Sequence, residues 1–367
     1  MRSFLCLLLL ITSAISAEIP PEKLDTLIGA LTRLGPEKVN ANPRLQAALT
    51  QVLDATRGTG RFVELVKVFR LRDRNADLLE LAIAAPNSNP GVDAIRVMLE
   101  NKGEKLIQNA LRKRTVPEGT RLLEAVGNTL SGATVLLLTE VLDDTDRPPP
   151  LRKAAVRALA KFKQGAGRLI QRAKAGTLDE VVKLSTAMEL NTVRWESIRN
   201  EVAKLLPLPK GRAGKAFPPI AELSRRKGDA VRGKSVFNRE TVMCNRCHQV
   251  NGEGIDFGPA LSEVGSKLTR EALYESILAP NAGILMGYES WTVETKSGDE
   301  YYGLLVSETK ELVSIKTVGG IVNQVKRAEI LTQRKSKLST MPNGLQQMMS
   351  EQDLVDLVEY LARLRAK

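Results

Sequence analysis

The chain has one histidine in 367 residues, three cysteines, and aromatic residues at only 4%. With His248 as its only imidazole, it has no site built on two histidines. No second imidazole is left for acid–base work beside the first, as a Ser-His-Asp or peroxidase-like site would need. Three cysteines are too few for a disulfide scaffold of this length. Scarce aromatics beside 43% apolar content favour Leu/Ala-rich helices over a β-sandwich. Beyond the first residues, no apolar run is long enough to span a bilayer.

The amino terminus reads as a secretory signal over residues 1–17. Arg2 supplies a positive start, Phe4–Ile11 an apolar stretch too short to span a membrane, and Thr12–Ala17 a mostly small region. Cleavage after Ala17 is expected, with Ala14 and Ser16 as alternatives, and Cys6 leaves with the signal. The mature chain then keeps Cys244 and Cys247, and its expected location is the periplasm or cell envelope. The net charge is +12. Residues 226–367 hold nineteen Lys+Arg against eighteen Asp+Glu, so the excess lies upstream. In an exported chain this suits an acidic protein or envelope surface rather than nucleic acid, or simply aids solubility.

Residues 18–206 read as a string of short amphipathic helices, with apolar positions at i, i+3, i+4 and i+7 punctuated by Gly, Pro and Asn. The segment Leu151–Phe162 resembles a HEAT or armadillo-type helix. The region is therefore expected to be a HEAT-like α-solenoid or an irregular helical bundle. Arg152, Lys153, Arg157, Lys161 and Lys163 read as a basic stripe, either a solvated helix face or a partner site. Residues 207–227, rich in Pro and Gly, read as a linker. A second domain is expected over residues 228–367. Helices are predicted at Asp229–Arg239, Thr269–Leu278 and Glu351–Arg363, and a β insertion at about 288–333 shows period-two alternation. The class is mainly α with a small inserted sheet.

Cys244-Asn-Arg-Cys247-His248 carries the chemistry. C-x-x-C-H is the pattern of c-type haem attachment. Two cysteines three apart on a turn can each form a thioether on one porphyrin edge, and the adjacent imidazole then points at the iron. A zinc site lacks a fourth ligand, and a thioredoxin-like site lacks its βαβ context. One motif means one covalent haem c. The sixth ligand is then methionine, water or nothing. Met341, held before Pro342 in a loop preceding the last helix, is the expected ligand, with Met286 next. Met348 and Met349 suit the core. The carbonyl of Pro259, after Gly258, is placed to accept the Nδ1 proton of His248. Gly233 and Phe237 are expected to meet Tyr360 and Leu361 where the first and last helices cross.

These pieces resemble a known family: Gly228–Phe237, the Cys244–His248 motif, Asn251-Gly-Glu-Gly, Gly258-Pro-Ala-Leu, Glu275-Ser-Ile-Leu-Ala-Pro-Asn and Ser339-Thr-Met-Pro-Asn-Gly-Leu. In that order they are similar to the haem-binding domain family of Planctomycetes and Verrucomicrobia, a branch of class I cytochromes c. The resemblance implies iron ligation by His248 and Met341 around an inserted β unit. Electron transfer, without substrate chemistry of the chain's own, is the leading expectation. Exported dehydrogenases or terminal oxidases are the expected redox partners, with the helical domain for docking. A haem-based redox or gas sensor, a scaffold, and a peroxidase-like enzyme are the other readings.

Overall fold

The computed structural model describes residues 20–208 and 217–365; the predicted signal segment, residues 1–17, lies outside them, as does the central part of the predicted linker. The described residues are mainly helical, with a small antiparallel sheet in the carboxy-terminal part. The chain divides into two compact units, with the boundary in the sequence between Leu71 and Arg72.

The first unit contains α1 (Pro21–Asn40), α2 (Pro43–Thr56) and α3 (Gly60–Phe69), which pack on one another. Gly35 interrupts α1 with φ of +77°, and Pro36 restarts it. The Asn42 carboxamide accepts from the N–H of Arg44 at 2.9 Å and so starts α2, with Pro43 in the first turn.

In the second unit, nine helices form a layer. They are α4 (Asn75–Ala84), α5 (Asn89–Glu100), α6 (Glu104–Lys113), α7 (Val116–Asn128), α8 (Val135–Asp143), α9 (Pro149–Ala160), α10 (Lys163–Lys174), α11 (Glu180–Thr192) and α12 (Glu196–Leu205). The Ala-rich α9 touches α7, α8, α10 and α11. Its small side chains allow this, since Ala158 lies against the backbone of Gly127 on α7. The basic stripe expected on this segment breaks up. Arg152 is buried, donating Nε to the Leu142 carbonyl at 2.9 Å and pairing with Asp179 at 3.2 Å. Arg157 reaches Glu240 at 2.9 Å, and Lys161 turns inward. Helical periodicity spreads these positions around the axis, so no single face holds them all.

Four helices follow: α13 (Ile220–Leu223), α14 (Ala230–Phe237), α15 (Val264–Lys267) and α16 (Arg270–Leu278); α17 (Glu351–Arg363) closes the chain. Asp229 caps α14 and Thr269 caps α16. Their core joins Val236, Phe237, Leu273, Tyr274, Leu354, Leu357, Val358 and Leu361. Helices α14 and α17 cross closely at Gly233, where a Cβ would fall 2.0 Å from the Asp356 carbonyl oxygen. Beside the crossing, the Phe237 and Tyr360 rings lie 5.7 Å apart.

Between α16 and α17 the chain makes a five-stranded antiparallel sheet. The strands are β1 (Glu289–Thr295), β2 (Glu300–Glu308), β3 (Leu312–Thr317), β4 (Ile321–Lys326) and β5 (Ile330–Ser339), ordered β4-β3-β2-β1-β5. The predicted insertion stopped near residue 333, whereas β5 runs to Ser339. Its Arg- and Lys-rich stretch shows little apolar alternation because the strand lies at a sheet edge, half-exposed. Pairing of β1 with β5 sets Glu289 opposite Ser339, so the chain re-enters the helical core where it left. The Asn281 carboxamide ties this junction, accepting from the Ser339 N–H at 2.7 Å and donating to Asn343 at 3.3 Å.

Candidate functional site

The Cys244–His248 segment folds as a tight turn. Met243 enters it with φ of +62°, residues Cys244–Arg246 form a 3-10 turn, and the N–H groups of Cys247 and His248 both donate to the Cys244 carbonyl, at 3.1 and 3.0 Å. The two thiols are free, and burial pushes Cys244 up to about 12 and Cys247 up to about 11. They therefore stay protonated at neutral pH, unlike the thiolates of a zinc or disulfide-exchange site. Among the described residues, no three His, Cys, Asp or Glu side chains gather as a metal-ion site.

His248 is fixed by the following loop. The N–H groups of Phe257 and Gly258 donate to the Cys247 carbonyl at 3.2 and 2.6 Å, bringing Pro259 beside the imidazole. Nδ1 of His248 lies 2.7 Å from the Pro259 carbonyl oxygen, which can only accept. Nδ1 thus carries the proton and Nε2 keeps a free lone pair. Burial lowers the imidazole pKa, with the Pro259 carbonyl opposing, so the ring is neutral at pH 7. Gly258 lies flat against the ring, where a Cβ would sit 2.6 Å from Cε1.

One cavity of about 1190 Å³ gathers Cys244, Cys247, His248, Gly258, Pro259, Phe237 and Met341 in its wall. Ordinary small-molecule sites occupy about 300–1,000 Å³, so this one has room for a large group. Met341 is partly buried against the helical core, and its N–H is held by the Ser339 hydroxyl at 3.1 Å. Tyr360 supports Phe237 from behind the wall. Of the other methionines considered, Met286 is 87% exposed and outside the lining, and Met349 is buried in the core. The free thiols, the neutral imidazole with an available Nε2, and the space in front of them fit a haem c.

The family model for cytochrome c matches residues 230–314. The chain thus carries a cytochrome c domain, and such a domain binds haem c and transfers electrons. The match ends within β3, so β4, β5, Met341 and α17 lie beyond it. No curated protein matches the chain.

The sequence reading did not find a further wall of this cavity. Lys161, Glu189, Arg194, Trp195 and Arg199, all from the helical layer, line it opposite the cytochrome c loops. Glu189 pairs with Arg246, inside the C-x-x-C-H motif, at 3.3 Å. The Arg194 guanidinium lies between the rings of Trp195 and Tyr302, 4.5 and 4.6 Å from their centroids, and pairs with Glu300. Trp195 donates Nε1 to the same carboxylate at 2.9 Å. The one available signal was a Trp beside an Arg just after a helix, in a chain with two tryptophans. The Glu189–Arg246 and Arg194–Glu300 contacts join residues 57 and 106 positions apart, and no local pattern reveals them.

Proposed function

We propose that the protein is an exported carrier of single electrons, with one haem c held by thioethers to Cys244 and Cys247 and ligated by His248 and Met341. One observation carries this reading: a single cavity wall holds both thiols, an imidazole with Nε2 available, and the Met341 loop. When bound, the haem iron supplies the one-electron change between Fe(II) and Fe(III). The protein's own groups do the rest. Pro259 orients His248 and keeps Nδ1 protonated, while Gly258 leaves room for the imidazole. Met341 supplies a thioether, which raises a haem potential relative to nitrogen ligands and suits acceptance from a dehydrogenase. The apolar core against which Met341 packs would keep water away from the bound group.

On this reading the signal is removed after residue 17, the carboxy-terminal domain has the class I cytochrome c fold, and the helical layer belongs to the HEAT-like class. An exported dehydrogenase gives the electron or a terminal oxidase takes it, and the helical surface is where such a partner docks. Among the described residues no helix is long and apolar enough to cross a membrane.

The test is expression of the mature chain with a haem c maturation system, followed by visible and near-infrared spectra. The expected result is a low-spin c-type spectrum with a thioether–Fe(III) band that disappears in Met341→Ala. A spectrum unaffected by that substitution removes Met341 as a ligand. High-spin iron that binds carbon monoxide tightly moves the reading to a sensor.

A further inference from the structure

Lys161 caps the carboxy-terminal end of α9, and its side chain reaches the cavity wall that also contains Cys247 and His248. Its ammonium donates to Asn128 Oδ1 at 2.5 Å. Asn128 is itself locked, since its amide donates to the Pro86 carbonyl at 2.9 Å and to Asn87 Oδ1 at 3.0 Å, which turns its oxygen toward Lys161. An ammonium has three N–H bonds, and this acceptor satisfies one.

No carboxylate of the described residues comes within ion-pair distance of Nζ. Glu189 is engaged with Arg246. Glu124 of α7 and Glu189 of α11 favour the charged amine only at longer range, and Arg246 and Arg157 add repulsion. Burial dominates this balance and pushes the amine down to about 8. Lys161 is half-buried, and a cation shielded this far from water without a counter-ion is costly. The cost falls if the group that fills the cavity brings a negative charge. Of the other cations lining the cavity, Arg194 pairs with Glu300, Arg246 with Glu189 and Lys267 with Glu263, while Arg199 donates to the Val193 carbonyl at 2.6 Å.

Haem carries two propionate carboxylates. Resting on the haem reading above, we propose that Lys161 is the counter-cation of a haem propionate, so that the helical layer takes part in holding the cofactor. The contact would be ionic and hydrogen-bonded, and would lie outside the matched cytochrome c segment.

The experiment uses the full mature chain carrying haem, as wild type, Lys161→Met and Lys161→Arg. Intact mass gives covalent haem content, resonance Raman gives the propionate bending mode, and potentiometry gives the midpoint potential. All three proteins are expected to retain haem. Lys161→Met is expected to shift the propionate mode and lower the potential, because a positive charge that disfavours Fe(III) is gone. Lys161→Arg is expected to move both readouts back toward wild type. Should Lys161→Met not accumulate, Lys161→Gln is read in the same way. An unchanged propionate mode in a haem-bearing Met or Gln variant overturns the proposal and leaves the haem reading standing. A wild-type chain without covalent haem overturns both.

Discussion

At His248 the Pro259 carbonyl decides which ring nitrogen keeps the proton, and the flat surface of Gly258 decides where the ring lies. A methyl group at 258 has no space, because its carbon would stand 2.6 Å from Cε1 of the imidazole. Gly258→Ala is therefore expected to retain covalent haem, since neither cysteine moves, and to lose stability by about 1–3 kcal/mol through overpacking. Its spectrum should show part of the iron in a high-spin state; an unaltered low-spin spectrum and unfolding midpoint would refute this account of Gly258. The residues of the motif and the Pro259 partner were legible in the sequence, because C-x-x-C-H is a local pattern and a proline carbonyl after glycine acts within one loop. Lys161 was legible only as one charge among several on a helix. Its burial depends on what packs over α9, which the sequence of α9 does not state.

Among the elements, the crossing of α14 with α17 organises the carboxy-terminal helical core. Gly233→Leu would drive a side chain into the Asp356 carbonyl and the Tyr360 Cβ. A loss of at least about 1–3 kcal/mol is expected, measured by urea unfolding of the haem-bearing protein. A variant as stable as wild type would mean that the helices do not meet this closely. The start of α17 is acid-sensitive. Asp353 completes the capping box with Ser350, and hydrogen bonds from Arg239 are the largest cause holding its carboxyl down to about 2. The folded pKa lies below the unfolded value of about 3.9. This contribution is therefore present above pH 4 and lost as the pH falls toward about 2. Asp353→Asn should lower stability at pH 6 and flatten its dependence between pH 4 and 2; parallel wild-type and variant curves over that range would count against it. Helices with strong caps and apolar faces could be read from the sequence nearly to their ends. Strand β5 was missed beyond residue 333, since its place beside β1 comes from pairing and not from an alternation of its own.

Across the second unit, the sheet and the helical layer close on each other around the cavity. The Asn89 side chain pairs with the backbone of Val322 on the edge strand β4, giving and receiving a hydrogen bond at 3.0 Å each. At the other end Arg194 and Trp195 grip Glu300. Removal of Arg194 leaves a largely buried carboxylate without its main partner, so the single variants should be costly while the pair is coupled. A double-mutant cycle with Arg194→Met and Glu300→Gln is expected to give a coupling of about 0.5–3 kcal/mol in thermal unfolding. Additive effects would show that the two layers are held by other contacts.

The sequence by itself determined the chemistry and the kinds of element. The haem-attachment motif is contiguous, helix and strand periods are local, and the single histidine limits the iron to one imidazole. Tertiary structure decided what surrounds that chemistry. It closed the long excursion between His248 and Met341 by pairing β1 with β5, and it turned Lys161, Glu189 and Arg194 toward the same cavity. These outcomes depend on burial and on pairings between distant segments, whose free energies are set by the partner surface and not by any one stretch of chain.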